Sequence, residues 1–115
     1  MKYYLKVPDI QPSDNQAYRV GNSRNRFALY LTDAGKIWKD YIAYQCEKKP
    51  TDKMVRLWIT ITFKDHRRRD IQNFQKLTID SLQGLWYEDD SQIADLHLNK
   101  RIGKDISTEI KMEKI

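Results

Sequence analysis

The residues best equipped for chemistry lie in two stretches. One is Asp65-His66-Arg67-Arg68-Arg69-Asp70-Ile71-Gln72-Asn73-Phe74-Gln75-Lys76, and the other is Glu88-Asp89-Asp90. Arginines and carboxylates in one place can pair and neutralise each other on a solvated face. The same residue types can also receive a polyanion and a hard cation. In that case Arg67, Arg68 and Arg69 hold phosphates, while Asp70 and Asp90 hold Mg²⁺ against the same backbone.

The second reading has a definite chemistry. Asp70 falls at a strand-to-helix junction and Asp90 at a helix-to-strand junction, so both can reach one edge of a sheet. Two carboxylates with room for water and phosphate oxygens suit Mg²⁺, which keeps part of its water shell. A metal held there polarises a scissile phosphate and lowers the pKa of an attacking water. Lys76, two turns into the expected helix, can point back at the phosphate and stabilise charge developing on it. Glu88 and Asp89 are spare ligands or simply caps of their turn. The Lys76 and Asp80 pair, four residues apart, can equally be an exposed ion pair of little energetic weight.

Other chemistries have little support. His66 sits in the arginine run with no second His at ligand spacing, and His97 falls on a strand, so both read as non-catalytic. Cys46 is the single cysteine, which excludes an internal disulfide, and it reads as an inert helical thiol. There is no Gly-rich phosphate cradle, no serine nucleophile context and no Cys–His pair.

These residues need a scaffold, and hydrophobic periodicity outlines one. Residues 3–7 alternate as a short strand. Pro8 to Asn25 collects turn formers and reads as a long irregular loop; its Arg19, Arg24 and Arg26 surroundings can wrap a phosphate backbone or remain a surface loop. Phe27 to Leu31 is a brief extended stretch. Thr32 can cap a helix whose apolar face is Ile37, Trp38, Tyr41 and Ile42, with Gly35 weakening its first turn and Glu47-Lys48-Lys49-Pro50 ending it. Met54 to Phe63 is the clearest strand, with Val55, Leu57, Ile59, Ile61 and Phe63 on one face.

Asp70 is expected to cap a helix running to about Leu82. Its inward stripe is Ile71, Phe74, Thr78 and Leu82, and Asn73, Lys76 and Asp80 share the opposite face. Residues 93–100 form a strand with Ala94, Leu96 and Leu98 opposite Ile93, Asp95 and His97. Lys100-Arg101-Ile102-Gly103-Lys104 reads as a basic turn into a final strand over 106–113, as a hairpin. The order predicts an α+β fold, a mixed β-sheet with two main helices packed on one face.

Length and composition agree with one domain over residues 1–115. The chain has 21 basic and 16 acidic residues, a net charge of +5, which is compatible with a nucleic-acid partner without requiring one. No apolar run reaches membrane-spanning length and Met1-Lys2-Tyr3-Tyr4 does not read as a signal peptide, so the expected location is cytoplasmic.

Arg67 to Lys76, then Asp80, then Trp86-Tyr87-Glu88-Asp89-Asp90-Ser91-Gln92-Ile93 closely resembles the RusA-type Holliday junction resolvases. Their pattern is an Arg-rich run, Asp-x-Asp-Asn-x-x-Lys, a helix, and Asp-Asp-x-Gln-hydrophobic. The match is good over about residues 64–101. It is looser elsewhere, with Pro12-Ser13-Asp14-Asn15 answering a Pro-Ser-x-Asn loop. The resemblance implies a RusA-like two-layer architecture and an Mg²⁺-dependent endonuclease, with Mn²⁺ able to substitute. It also implies a homodimer acting on branched DNA, without a membrane or a small-molecule substrate. Asp70 and Asp90 match metal-binding catalytic acids, with Asp89 beside them. Lys76 matches the functional lysine and Asn73 the motif asparagine. Arg67, Arg68, Arg69, Asn73, Lys76, Arg24, Arg26, Lys100 and Arg101 are the expected DNA contacts.

One position departs from the pattern. Gln72 stands where the family has its second acid; its amide oxygen can still coordinate, but it brings no charge. Metal affinity should fall unless Asp89, Glu88 or Asp80 compensates. Two other functions therefore stay open: a junction-binding protein with weakened or lost cleavage, and a basic RNA-binding or scaffold module whose acids merely balance arginines.

Overall fold

The computed structural model describes residues 3–23 and 26–115. In chain order these form β1 (Tyr3–Val7), α1 (Asp14–Ala17), β2 (Tyr18–Ser23), β3 (Arg26–Leu31), α2 (Asp33–Gln45) and β4 (Val55–Phe63). A 3-10 turn (Ile71–Asn73), α3 (Lys76–Leu82), a second 3-10 turn (Asp90–Gln92), β5 (Ile93–Ile102) and β6 (Ser107–Lys114) follow. The main sheet has the order β1-β6-β4-β5, and β2 with β3 makes a separate two-stranded sheet. This is the α+β architecture expected from the element order.

The alternation in β4 sets the layers. Val55, Leu57, Ile59 and Ile61 are wholly buried and Phe63 nearly so. They meet Trp38 and Ile42 from α2, Leu77 and Leu82 from α3, and Trp86 and Tyr87 beyond it. The opposite face of β4 carries Arg56 and Trp58. There the Trp58 ring stacks on His97 at 5.4 Å and takes the Lys111 ammonium 4.9 Å from its centroid. Helices thus cover one face and leave the other to polar and aromatic side chains.

Four expectations are corrected. First, β5 and β6 do not form a hairpin. β5 pairs in parallel with one side of β4, and β6 pairs antiparallel with the other. The connection 64–92 is therefore a crossover between parallel neighbours, and residues 100–102 belong to β5, not to a basic turn. Second, a register shift between Val55 and Arg56 pairs Ile93 with Val55 and skips Ala94. Ile93 consequently packs on the core while Asp95 and His97 face away with Arg56 and Trp58, so Ile93 does not share their face.

Third, Pro8 to Asn25 is not a bare loop, since it contains α1 and β2. Ser13 caps α1 through a reciprocal bond pair with Gln16. Fourth, the helix expected from Asp70 to Leu82 is two pieces. Phe74 leaves helical geometry, with φ −127 and ψ 42, and its ring meets Phe63 edge-on at 5.5 Å.

α2 begins at the Thr32 cap as expected, but only part of its apolar stripe is buried. Trp38 and Ile42 enter the core, whereas Ile37 is 70% exposed. Gly35 serves a purpose that its low helix propensity conceals. A Cβ there would lie 2.7 Å from the Ala17 carbonyl oxygen, so only glycine lets α2 approach the end of α1 this closely. Gly84, at φ +84, makes the turn after α3.

Candidate active site

Both acidic stretches fall within the crossover from β4 to β5. Asp70 caps the first 3-10 turn, its Oδ1 accepting from the Gln72 amide at 3.1 Å. Asp70 and Gln72 are exposed and Asn73 is half-buried. This segment lies along the β5 edge of the sheet, where the Lys100 ammonium donates to the Arg69 carbonyl at 3.1 Å.

The second stretch is anchored by Gln92. Its amide oxygen accepts from the backbone of Glu88 and Asp89, and its amide nitrogen donates to the carbonyls of Thr51 and Lys53, each at 2.8 Å. Asp89 caps this turn by accepting from the Ser91 amide at 3.0 Å. Hydrogen bonds from Ser91 hold its carboxyl below the usual carboxylate range. Asp90 is exposed, with its backbone amide bonded to the Gln83 side chain at 3.2 Å and no side-chain hydrogen bond among the described residues. Tyr87 ties this stretch to α3. It is buried, its hydroxyl donates to the Ile79 carbonyl, and burial, then the charges of Asp90 and Asp80, push its pKa upward.

The arginine run divides by environment. Arg69 turns inward: it bonds Asp65 at 2.9 Å and lies 4.3 Å over the Phe63 ring. Arg67 and Arg68 point to solvent, and among the described residues neither side chain has an acidic partner. Arg101 is exposed on β5. Arg24 lies outside the described residues; Arg26 contributes its backbone to β3, and its side chain is outside the description.

Lys76 is the most constrained of these groups. It opens α3, and its ammonium contacts Asp80 Oδ2 at 2.9 Å and lies 4.9 Å from the Tyr18 ring centroid. The Tyr18 hydroxyl donates to the same Asp80 oxygen at 2.5 Å. Burial, then Asp80, raises the Tyr18 pKa, so the hydroxyl stays a donor. α3 has no side-chain cap from Gln75. Asp14 of α1 supplies one instead, accepting from the backbone of Lys76 and Leu77 at 3.2 Å each. Burial raises the Asp14 pKa, and those backbone bonds oppose the shift. Next to this, the buried Thr78 hydroxyl donates to the buried Gln11 side chain. Tyr18, Asp14 and Gln11 were not legible as site residues; the one signal was a Pro-Ser-x-Asn segment of unassigned purpose.

The donor chemistry suits a hard cation. Asp70 keeps one uncommitted oxygen, Asp90 keeps two, and Gln72 offers an amide oxygen. Among the described residues no three of His, Cys, Asp or Glu converge as a metal cage. An ion bound at either acid would be held largely by water, as Mg²⁺ can be.

Exposed oxygen donors, a fixed ammonium and outward arginines on one crossover define a class, a surface suited to a phosphodiester backbone. Comparison with known proteins narrows it. The family model described as endodeoxyribonuclease RusA matches residues 9–113. A crossover junction endodeoxyribonuclease of Enterobacteria phage 82 is 31% identical over 104 residues, covering 85% of this chain and 82% of its own. Those of Escherichia coli K12 and Shigella sonnei are 32% and 30% identical at the same coverage. The chain belongs to the RusA endodeoxyribonuclease family.

Proposed function

We propose that this protein is a structure-selective DNA endonuclease that resolves four-way (Holliday) junctions by paired nicks. In this reading it acts in the cytoplasm as a homodimer with Mg²⁺, for which Mn²⁺ can substitute. The observation that carries the reading is the family match over residues 9–113, whose relatives are named crossover junction endodeoxyribonucleases. A dimer suits a substrate with its own approximate two-fold axis. Among the described residues no helix is long and apolar enough to cross a membrane.

The roles follow from the side chains. Asp70 and Asp90, with the Gln72 amide oxygen, would hold the metal, while Asp89 caps the turn that carries Asp90. Bound there, Mg²⁺ supplies polarisation of the phosphate and acidification of a water. Lys76 places an ammonium where charge develops on the phosphate. Arg67, Arg68 and Arg101 reach flanking phosphates, while Arg69 and Lys100 shape the segment they cross. Asn73 adds a neutral donor beside the backbone of the cut strand.

The substitution at Gln72 and the lack of a three-acid group among the described residues favour one second reading, a protein that binds junctions but has lost cleavage. Strand cleavage of a synthetic four-way junction against linear duplex, in Mg²⁺ or EDTA, separates the two. Symmetric nicks that need the metal support the resolvase. Tight junction binding without nicks, even in Mn²⁺, supports the binding protein.

A further inference from the structure

We infer that Tyr18, Asp80 and Asp14 are positioning residues for Lys76, and that residues 11–18 form a brace holding the lysine ready for phosphate. The inference rests on the phosphate role proposed for Lys76 and extends it to three side chains that the motif leaves without a function.

The brace is built at three consecutive places. Gln11 engages Thr78, Asp14 engages the amides of Lys76 and Leu77, and Tyr18 engages Asp80. Residues from one short stretch thus meet almost every turn of α3. Position is set at both ends of the lysine. Asp14 fixes the backbone from which its side chain starts, and Asp80 with Tyr18 fixes the ammonium where it ends.

Stability is a poor account of the outer contact. The Lys76 side chain is 48% exposed and that of Asp80 28%, so solvent screens the pair and it adds little to stability. That weakness suits an orienting contact, since an arriving phosphate displaces it at little cost. The Tyr18 hydroxyl shares the carboxylate oxygen, so Asp80 is held in place when the ammonium turns to substrate. Tyr18 also lies under the ammonium through its ring, limiting the directions the chain can take. A lysine so confined loses little rotamer freedom when the substrate arrives.

The test uses the full chain, a synthetic four-way junction and Mg²⁺. Single-turnover cleavage is read beside junction affinity measured in EDTA. Asp80→Asn should slow cleavage on the order of tenfold, and Tyr18→Phe, which keeps the ring, about threefold. Junction affinity should stay within about twofold of wild type, since neither change removes a phosphate contact. The deciding variant is Lys76→Ala combined with Asp80→Asn. If Asp80 acts through the lysine, the double variant cleaves as slowly as Lys76→Ala and no slower.

Multiplied losses in the double variant would overturn the inference, as would an Asp80→Asn protein whose rate returns when Mg²⁺ is raised, which would make Asp80 a metal ligand. Should Asp80→Asn fail to fold, Tyr18→Phe with and without Lys76→Ala reads the same coupling. A wild-type protein that leaves junctions uncut overturns this inference together with the proposed function. A wild type that cuts, beside an Asp80→Asn that cuts as fast, overturns the inference alone.

Discussion

The surroundings of Lys76 and those of Asp70 and Asp90 differ sharply, although all three belong to one crossover. The lysine is held from two other elements, with Asp14 on its backbone and Tyr18 with Asp80 on its ammonium. The acids are exposed, and their own turns occupy only one of their carboxylate oxygens. The difference teaches where preorganisation is needed. A flexible ammonium must be placed by the protein, whereas acids that meet a metal are ordered by the ion itself and lose capacity if the protein satisfies them first.

Variants can break or sharpen that contrast. The largest effect belongs to Asp70→Asn. Asparagine caps the 3-10 turn as well as aspartate, so thermal stability should hardly change, while junction cleavage falls by at least about a hundredfold and binding is kept or strengthened. Normal cutting by this variant would remove Asp70 from the metal. Next comes Gln72→Asp, which adds a carboxylate beside Asp70. The Mg²⁺ concentration for half-maximal cleavage should drop several-fold, on the order expected for one added carboxylate ligand; an unchanged requirement places residue 72 away from the ion.

Asp14→Ala probes the other side of the comparison and should reverse the pattern. It leaves two amides of α3 without a partner and should cost about 1 kcal/mol in urea unfolding, with cleavage slowed and Mg²⁺ dependence unaltered. If the stability is unchanged, the amides find another partner and Asp14 is no cap.

The smallest effect is expected on the open face of the sheet. Hydrogen bonds from Arg56, then His97, lower the Asp95 pKa in the folded protein. Its contribution is therefore complete above the unfolded value of about 3.9 and is lost as pH falls through the lower folded value. Asp95→Asn should flatten the stability curve slightly in that acid window and nowhere else, a small change because the pair is solvent-screened.

Parts of this were legible in the chain and parts were not, for physical reasons. Val55 to Phe63 alternates because it is buried on one face only, and that period is local information. Thr32 and Asp70 announce their turns because a cap is satisfied within three residues. The pairing of β5 was hidden. Only four residues, 103–106, separate these two strands, which suggests a hairpin, but β4 has two hydrogen-bonding edges and takes one strand on each. The helix from Asp70 read as continuous because Ile71, Phe74, Thr78 and Leu82 have helical spacing; the contact of Phe74 with Phe63 overrides it. The Pro-Ser-x-Asn segment marked the place of Asp14 but not its role, and Tyr18 gave no signal, because what each holds lies 62 residues away in the sequence.

The parallel pairing of β4 with β5 has a kinetic consequence. The whole of residues 64–92 must be gathered before the two strands can register, and loops of that kind close late because their entropy is lost before any ladder bond is gained. Packing of α3, Trp86 and Tyr87 against β4 shortens that loop and lowers the entropy lost when the parallel neighbour docks. Asp70 and Asp90 lie towards opposite ends of this connection, so their placement relative to one another is set only when β5 takes its register on β4.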